Sequence, residues 1–228
     1  MTSPDDREAP DPKRTTRQYS WLVGIVFLAF VVYLGVRSID SGQTGGTGLS
    51  RGERAPKFAA PSATGKLDGD ANIFQNAKQA GEDGVPACEV ADKDAIRICD
   101  YFDRPLVLVA WFTKCGNCEQ QLDIVDRVRR RFPNVAFVGL DVADSLENAG
   151  KTVAEHGWGF PMAVDRDGAV STLYNVGVGP TTFFICPGGV VQRTALGELN
   201  ARLLVRGVRR LVSEPRRCEP RPSRRQKQ

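Results

Sequence analysis

Two cysteines separated by two residues, Cys115 and Cys118, sit in the stretch Trp111-Phe112-Thr113-Lys114-Cys115-Gly116-Asn117-Cys118. A pair at this spacing can close to a disulfide and reopen, so the chemistry it offers is two-electron thiol–disulfide exchange. That chemistry needs a thiolate, which is favoured where unpaired backbone N–H groups meet the positive end of a helix dipole. The stretch has this form. An unbroken apolar run, Pro105 to Phe112, reads as a buried strand, and an amphipathic run begins at Cys118. Cys115 is expected as the exposed nucleophile and Cys118, in the first helical turn, as the sulfur that resolves the intermediate. The competing readings are a bare disulfide and half of a zinc site. A zinc site needs two further ligands, and the sequence has neither a second C-x-x-C nor an H-x-x-x-H to supply them. No metal and no cofactor is expected.

The elements that would position this pair follow from periodicity. The helix from Cys118 to Phe132 places Leu122, Val125, Val128 and Phe132 on one face, while Arg127, Arg129, Arg130 and Arg131 read as a solvated face. Val135 to Leu140 is a second buried strand, giving a β-α-β unit with parallel strands. Leu146, Ala149 and Val153 mark the next helix, stopped by Gly157. His156, the only histidine, lies in its last turn and reads as a half-buried residue capping the helix end. Phe160 to Asp165 is a short strand, Ala169 to Tyr174 a brief helix, and Gly177 to Cys186 a strand joined through Pro187-Gly188-Gly189 to another at Val190 to Thr194. Ala95 to Ile98 is a short strand. The last helix, Glu198 to Val212, is amphipathic through Leu199, Leu203, Leu204, Val208 and Leu211; lipid headgroups are one partner for its arginines, but a helix packed on a sheet with basic residues outward explains the same pattern more simply. This order describes an α/β fold with a central sheet covered by helices on both sides.

The chain has 228 residues, 41% of them hydrophobic and 25% charged, with a formal charge of +4, which allows one ordinary domain plus appendages. The arginines are dispersed rather than interleaved with aromatics in one block, so nucleic acid is not an expected partner. Residues 19–36 contain no charge and are just long enough to span a bilayer. Lys13, Arg14 and Arg17 precede them, so the positive-inside bias puts the N-terminus in the cytoplasm and the remainder outside. A cleaved signal peptide is the alternative, but no A-x-A-like site follows. Six cysteines agree with an oxidising exterior. The expected organisation is a cytoplasmic tail at 1–18, a transmembrane helix at 19–36 and a flexible linker at 37–50. A folded domain follows at 51–212, with an irregular insertion at about 63–94, and then a disordered basic tail at 213–228.

Four pieces of sequence together carry a family resemblance: Gly52-x-x-Ala55-Pro56-x-Phe58; the strand ending in Trp111 followed by Cys115-x-x-Cys118; Phe160-Pro161 with Asp165-x-Asp167-Gly168; and Gly179-Pro180-Thr181-Thr182-Phe183. In this order and spacing the chain resembles the thioredoxin fold, and within it the membrane-anchored thiol–disulfide oxidoreductases of the TlpA and ResA type, in the wider redoxin group. The resemblance covers about residues 52–212. It implies a three-layer domain with a central mixed sheet, protein thiol or disulfide substrates, and a redox partner at the membrane. It also implies a cis peptide before Pro180, which would face the cysteines, with Trp111, Lys114, Gly116, Asn117, Gly179 and Thr181 forming the rest of the site. The chain departs from the family pattern at Lys114, where tryptophan is usual, at Asn117, where proline is frequent, and at Gln121 and Asp123, where glutamate and proline are common.

Two other functions are possible on the same fold. A thiol peroxidase of the peroxiredoxin kind requires P-x-x-x-T-x-x-C, whereas Leu108 and Phe112 occupy those places before Cys115. A copper-delivery module uses C-x-x-x-C and a distant histidine, and neither the spacing nor the place of His156 matches. Of the other cysteines, Cys88 and Cys99 are close enough to close a short structural loop worth about 2–3 kcal/mol. Cys186 and Cys218 can pair with each other, stay free, or pair with the insertion.

Overall fold

The apolar run before the cysteines becomes the middle strand of the molecule. In a computed structural model of the chain, residues 25–30, 46–82, 84–113 and 115–220 are described. The strands are β1 (Ala59–Pro61), β2 (Ala95–Arg97), β3 (Leu106–Trp111), β4 (Ala136–Val142), β5 (Met162–Asp165), β6 (Thr181–Cys186) and β7 (Val190–Leu196). The helices are α1 (Ala77–Ala80), α2 (Cys118–Arg129), α3 (Leu146–His156), α4 (Ala169–Leu173) and α5 (Ala201–Ser213). The principal sheet has the order β5-β4-β3-β6-β7, and β1 and β2 form a separate antiparallel pair. β3, β4 and β5 run parallel and β6 and β7 antiparallel to their neighbours, so the sheet is mixed as expected.

All six residues of β3 are buried because the sheet is covered on both faces. Val107, Val109 and Trp111 point into one core with Leu122, Val125, Ala149, Val153, Leu204 and Val208. Leu106, Leu108 and Ala110 point into the other with Phe58, Ile98, Val170 and Tyr174. The alternation is that of the strand pleat.

Helices lie on both faces, as expected, but coverage of the two faces is uneven. β3-α2-β4 and β4-α3-β5 are successive crossovers stepping in the same direction across the sheet. Crossovers of one hand must then lie on one face, so α2 and α3 share a core, joined there by α5. The opposite face has only the five-residue α4 and the N-terminal segment with β1 and β2. Tyr174 ties these together. Its ring meets Phe58 and Phe183 edge-on at 5.8 and 5.4 Å, and its hydroxyl donates to the Pro56 carbonyl at 2.7 Å.

Several boundaries move. The central helix ends at Arg129 rather than Phe132, and the last helix starts at Ala201 rather than Glu198, capped by Asn200 accepting from the Leu203 N–H. The domain begins before Arg51: Thr47 bridges Val176, and Thr194 donates to the Leu49 carbonyl at 2.6 Å. Residues 46–50 are thus part of the fold and not of a linker. The segment after 212 is also ordered as far as it is described, with a 3-10 turn at Pro215–Cys218 tied to β6 by a Cys186–Cys218 disulfide. Cys88 pairs with Cys99, Cα atoms 5.8 Å apart, which closes the insertion. The expected transmembrane helix lies mostly outside the described residues, as do 1–18, 37–45 and 221–228. Residues 25–30 are helical, and among the described residues no helix is long and apolar enough to cross a membrane.

Candidate active site

β3 delivers the chain at Trp111 to a tight loop, where the Cys115 N–H bonds the Phe112 carbonyl at 3.0 Å and the Cys118 N–H bonds the Cys115 carbonyl at 3.1 Å. Asn117 occupies the N-cap of α2 without a side-chain hydrogen bond, so no capping side chain offsets the positive end of the helix dipole beside the sulfurs. Cys115 and Cys118 are joined as a disulfide, Cα atoms 5.5 Å apart. Cys118 is fully buried and Cys115 is only half-buried. Burial therefore divides the sulfurs into an accessible one and a sheltered one.

Opposite them, the peptide between Gly179 and Pro180 is cis, as expected. Pro180 is buried and its carbonyl accepts from the Gly197 N–H at 2.8 Å. Thr181 opens β6 and donates to the Val178 carbonyl at 2.7 Å, fixing the turn before the cis bond. Gly179 lies against both the Phe112 ring and the Cys118 sulfur. Gly116 and Asn117 are exposed, and the space around Gly116 is open, so they form the rim of the site rather than its wall. Lys114 lies outside the described residues.

Trp111 is fully buried behind the disulfide, its indole N–H directed at the Met162 sulfur at 3.2 Å. It meets Trp158 edge-on at 5.5 Å, and Trp158 stacks on His156 at 4.6 Å. Asp123, one turn beyond Glu119 on α2, accepts from the Trp158 indole at 2.8 Å and lies 3.1 Å from His156 Nδ1, while Glu119 Oε2 is 3.4 Å from His156 Nε2. His156 is exposed as a whole residue rather than half-buried, although its side chain is 27% exposed. Its partners are carboxylates of the neighbouring helix rather than the end of its own.

A second polar group borders the loop on the other side. Asp141 is register partner to Trp111 and fully buried. Ala143, in the left-handed region at φ 57°, turns the chain so that Asp144 returns to the same place. Thr113, two residues before Cys115, bonds Asp144 closely and stands 3.4 Å from Asp141 Oδ1. Burial first, and then the neighbouring Asp144 charge, push the Asp141 carboxyl up to about 8, against the Thr113 hydroxyl and the Val142 N–H. The Thr113 hydroxyl is the donor in this group, shared between Asp144 and the more distant Asp141. The sequence signal for this group was a carboxylate ending a buried parallel strand, the usual position of site residues in such sheets.

On the far side of Cys118, Gln121 is almost fully buried and accepts from the Leu199 N–H at 2.6 Å, while its own Nε2 has no partner. Asp126 is held by Arg129 at 2.9 Å, Arg130 at 2.6 Å and the Gly159 N–H at 3.0 Å. Burial raises its carboxyl, but these bonds outweigh burial and leave it below the usual range. Two of the arginines read as a purely solvated face are therefore structural. Among the described residues no cluster of side chains is arranged to hold a metal ion.

Comparison with known proteins places this geometry in context. The model of the AhpC/TSA family matches residues 52–194. The thiol-disulfide oxidoreductase ResA of Oceanobacillus iheyensis is 26% identical over 115 residues, covering 49% of this chain and 59% of that protein's length. ResA of Bacillus subtilis is 22% identical over 181 residues, covering 78% of this chain and 86% of its own. Among solved structures, a Chlorobium tepidum protein described as thiol:disulfide interchange protein DsbE superposes with a TM-score of 0.56 at 20% identity. That match covers 72% of this chain and 99% of the other, and shows a shared fold.

Proposed function

Because this chain belongs to the AhpC/TSA family over residues 52–194, we propose that it is a thiol–disulfide oxidoreductase. It would exchange disulfides with protein partners through Cys115 and Cys118, without metal or cofactor. The observation that carries this reading is the unequal burial of the two sulfurs beside a cis Gly179–Pro180 bond. In the reducing direction the Cys115 thiolate attacks one sulfur of a substrate disulfide. The substrate S–S bond breaks, a mixed disulfide forms, and the other substrate sulfur leaves as a thiolate that takes up a proton. Cys118, losing its proton, then attacks the Cys115 sulfur. The mixed disulfide breaks, the Cys115–Cys118 bond forms, and two electrons have passed to the substrate. Oxidation of a dithiol runs the same steps backwards. A substrate strand would pair on the backbone of Gly179, since the Val178 and Pro180 carbonyls already accept from Thr181 and Gly197.

We further propose that residues 19–36 anchor the chain in the cytoplasmic membrane with its N-terminus inside and residues 46–220 outside. The charge-free length of 19–36 and the flanking Lys13, Arg14 and Arg17 support this topology. A redox partner at that membrane would return the pair to its working state.

The test is a Cys118→Ser variant, which should accumulate mixed disulfides through Cys115 that reductant releases. Undiminished exchange with no trapped species would overturn the roles assigned to the two sulfurs. Consumption of hydrogen peroxide by the native chain with a thiol donor, at a rate exceeding disulfide exchange, would instead support the peroxidase alternative.

A further inference from the structure

The exposed side of α5 and the end of α2 enclose a groove of about 520 Å³ in which every charged lining residue is an arginine: Arg131, Arg202, Arg206, Arg209 and Arg210. All five are exposed. On α5 they fall at i, i+4, i+7 and i+8, so they form one stripe along the helix. Among the described residues none of the five has a carboxylate within ion-pair distance; Arg97, Arg104, Arg129, Arg130, Arg166 and Arg217 each have one, and the other unpaired arginines are Arg51, Arg54, Arg127, Arg193 and Arg216. A helix packed on a sheet needs polar residues outward, but it does not need a row of like charges facing another arginine without a counter-ion. The guanidinium fork matches phosphate oxygens in pairs, so the groove fits phosphate-bearing anions.

We infer that this groove docks on the phosphate headgroups of an anionic membrane surface, an inference that rests on the membrane-anchored reading above. Two features favour a membrane over a soluble anion. The first is continuity with the segment by which the chain enters the domain. Gln192 of β7 donates to the Arg210 and Glu214 carbonyls at 3.2 and 3.4 Å, and it also lines a shallow depression with Leu49, Arg51, Arg193 and Arg217. Residues 47–51, which follow the proposed anchor in sequence, thus lie beside the end of the arginine-bearing helix. The second is the presence of exposed apolar side chains, Leu203 and Val212, on the same helix as the arginines, which suits an interface with both headgroups and acyl boundary.

The groove and the disulfide sit at opposite ends of α2. Its first residue is Cys118 and its last is Arg129. At 1.5 Å per residue, Arg131 lies about 20 Å along the axis from Cys118. The disulfide therefore lies outside the groove and is not among the residues such a contact would cover.

The test uses the full chain in vesicles of phosphatidylcholine alone and of phosphatidylcholine with phosphatidylglycerol in a two-to-one mixture. Arginines are modified with phenylglyoxal and mapped by mass spectrometry. Arg202, Arg206 and Arg209 should be protected in the anionic vesicles, unprotected in the neutral ones, and unprotected in neutral vesicles with inorganic phosphate added. Equal modification in both vesicles overturns the inference. Protection by inorganic phosphate alone also overturns it, in favour of a soluble anion. Each arginine near such a surface contributes about a fivefold change in partitioning. An Arg202→Glu, Arg206→Glu, Arg209→Glu variant should therefore lose protection at Arg210, and an Arg→Gln series serves if the glutamates prevent folding. Flotation of the native chain separates this inference from the anchor. Failure to float with neutral vesicles refutes the anchor, and flotation with anionic vesicles that the triple variant lacks still supports the groove.

Discussion

Gly179 and Phe112 meet across a gap with no room for a methyl group: a β-carbon on Gly179 would stand 2.5 Å from Phe112 Cδ2 and 3.2 Å from Cys118 Sγ. The glycine before the cis-proline is thus the complement of the aromatic ring that leaves β3. Gly179→Ala should lower stability by about 1–3 kcal/mol through overpacking. In a Phe112→Ala background most of that loss should vanish. Urea unfolding of the two single variants and the double variant checks this, and additive losses would refute the pairing.

Asp141, with Asp144 and Thr113 facing it and the Val142 N–H beside it, gives a pH dependence whose sign is fixed. Its carboxyl is pushed up from 3.8 to about 8 in the folded chain. Between those values the folded chain holds a proton that the unfolded chain has released, so this group favours folding below about pH 4. That contribution is lost as pH rises through the folded value near 8. Asp141→Asn should flatten the fall in stability over that range, raising stability most at alkaline pH. Thermal unfolding of both chains across the range measures it, and parallel curves would count against the assignment.

Gln121 holds the Leu199 N–H against the start of α2. Gln121→Leu should cost about 1–3 kcal/mol because a buried donor loses its acceptor. Gln121→Glu keeps an acceptor there but adds a titratable group one turn from Cys118, so its rate of disulfide exchange should show a pH step absent from the native chain.

The Cys186–Cys218 link closes a separation of 32 residues and fastens the chain end to β6. On loop-entropy grounds Cys218→Ser should lower stability by about 3–4 kcal/mol, and loss of Cys88–Cys99, at a separation of 11, by about 2–3 kcal/mol. Denaturant midpoints should follow that order.

What the sequence made legible were features that depend on neighbours in the chain. The unbroken run at Pro105 to Phe112, the alternating cores on either side of β3 and the opening of α2 at Cys118 all follow from local pattern. The Cys115–Cys118 pair, the cis bond at Pro180 and the short Cys88–Cys99 loop also matched expectation. Features made by distant residues were not legible. Thr113 meets Asp141 only because β3 and β4 are in register, and His156 meets Glu119 and Asp123 only because α2 and α3 share a face. The pairing of Cys186 with Cys218 required knowing that the chain returns along β6 after α5. A tail rich in proline and arginine carries no local sign of this and by itself reads as disordered. Residues 46–50 read as linker for the same reason: their partners, Asn175, Val176 and Thr194, lie far along the chain.

The three disulfides share a property beyond what each does to stability. Six cysteines admit fifteen complete pairings, and here every cysteine is joined to its immediate neighbour in the chain: Cys88 to Cys99, Cys115 to Cys118 and Cys186 to Cys218. A chain that emerges N-terminus first therefore presents each cysteine with its correct partner before any later one exists. The native set can form in order of appearance, without a wrong bond having to be undone, so the disulfide exchange proposed for this chain would be carried by a fold whose own bonds need no rearrangement.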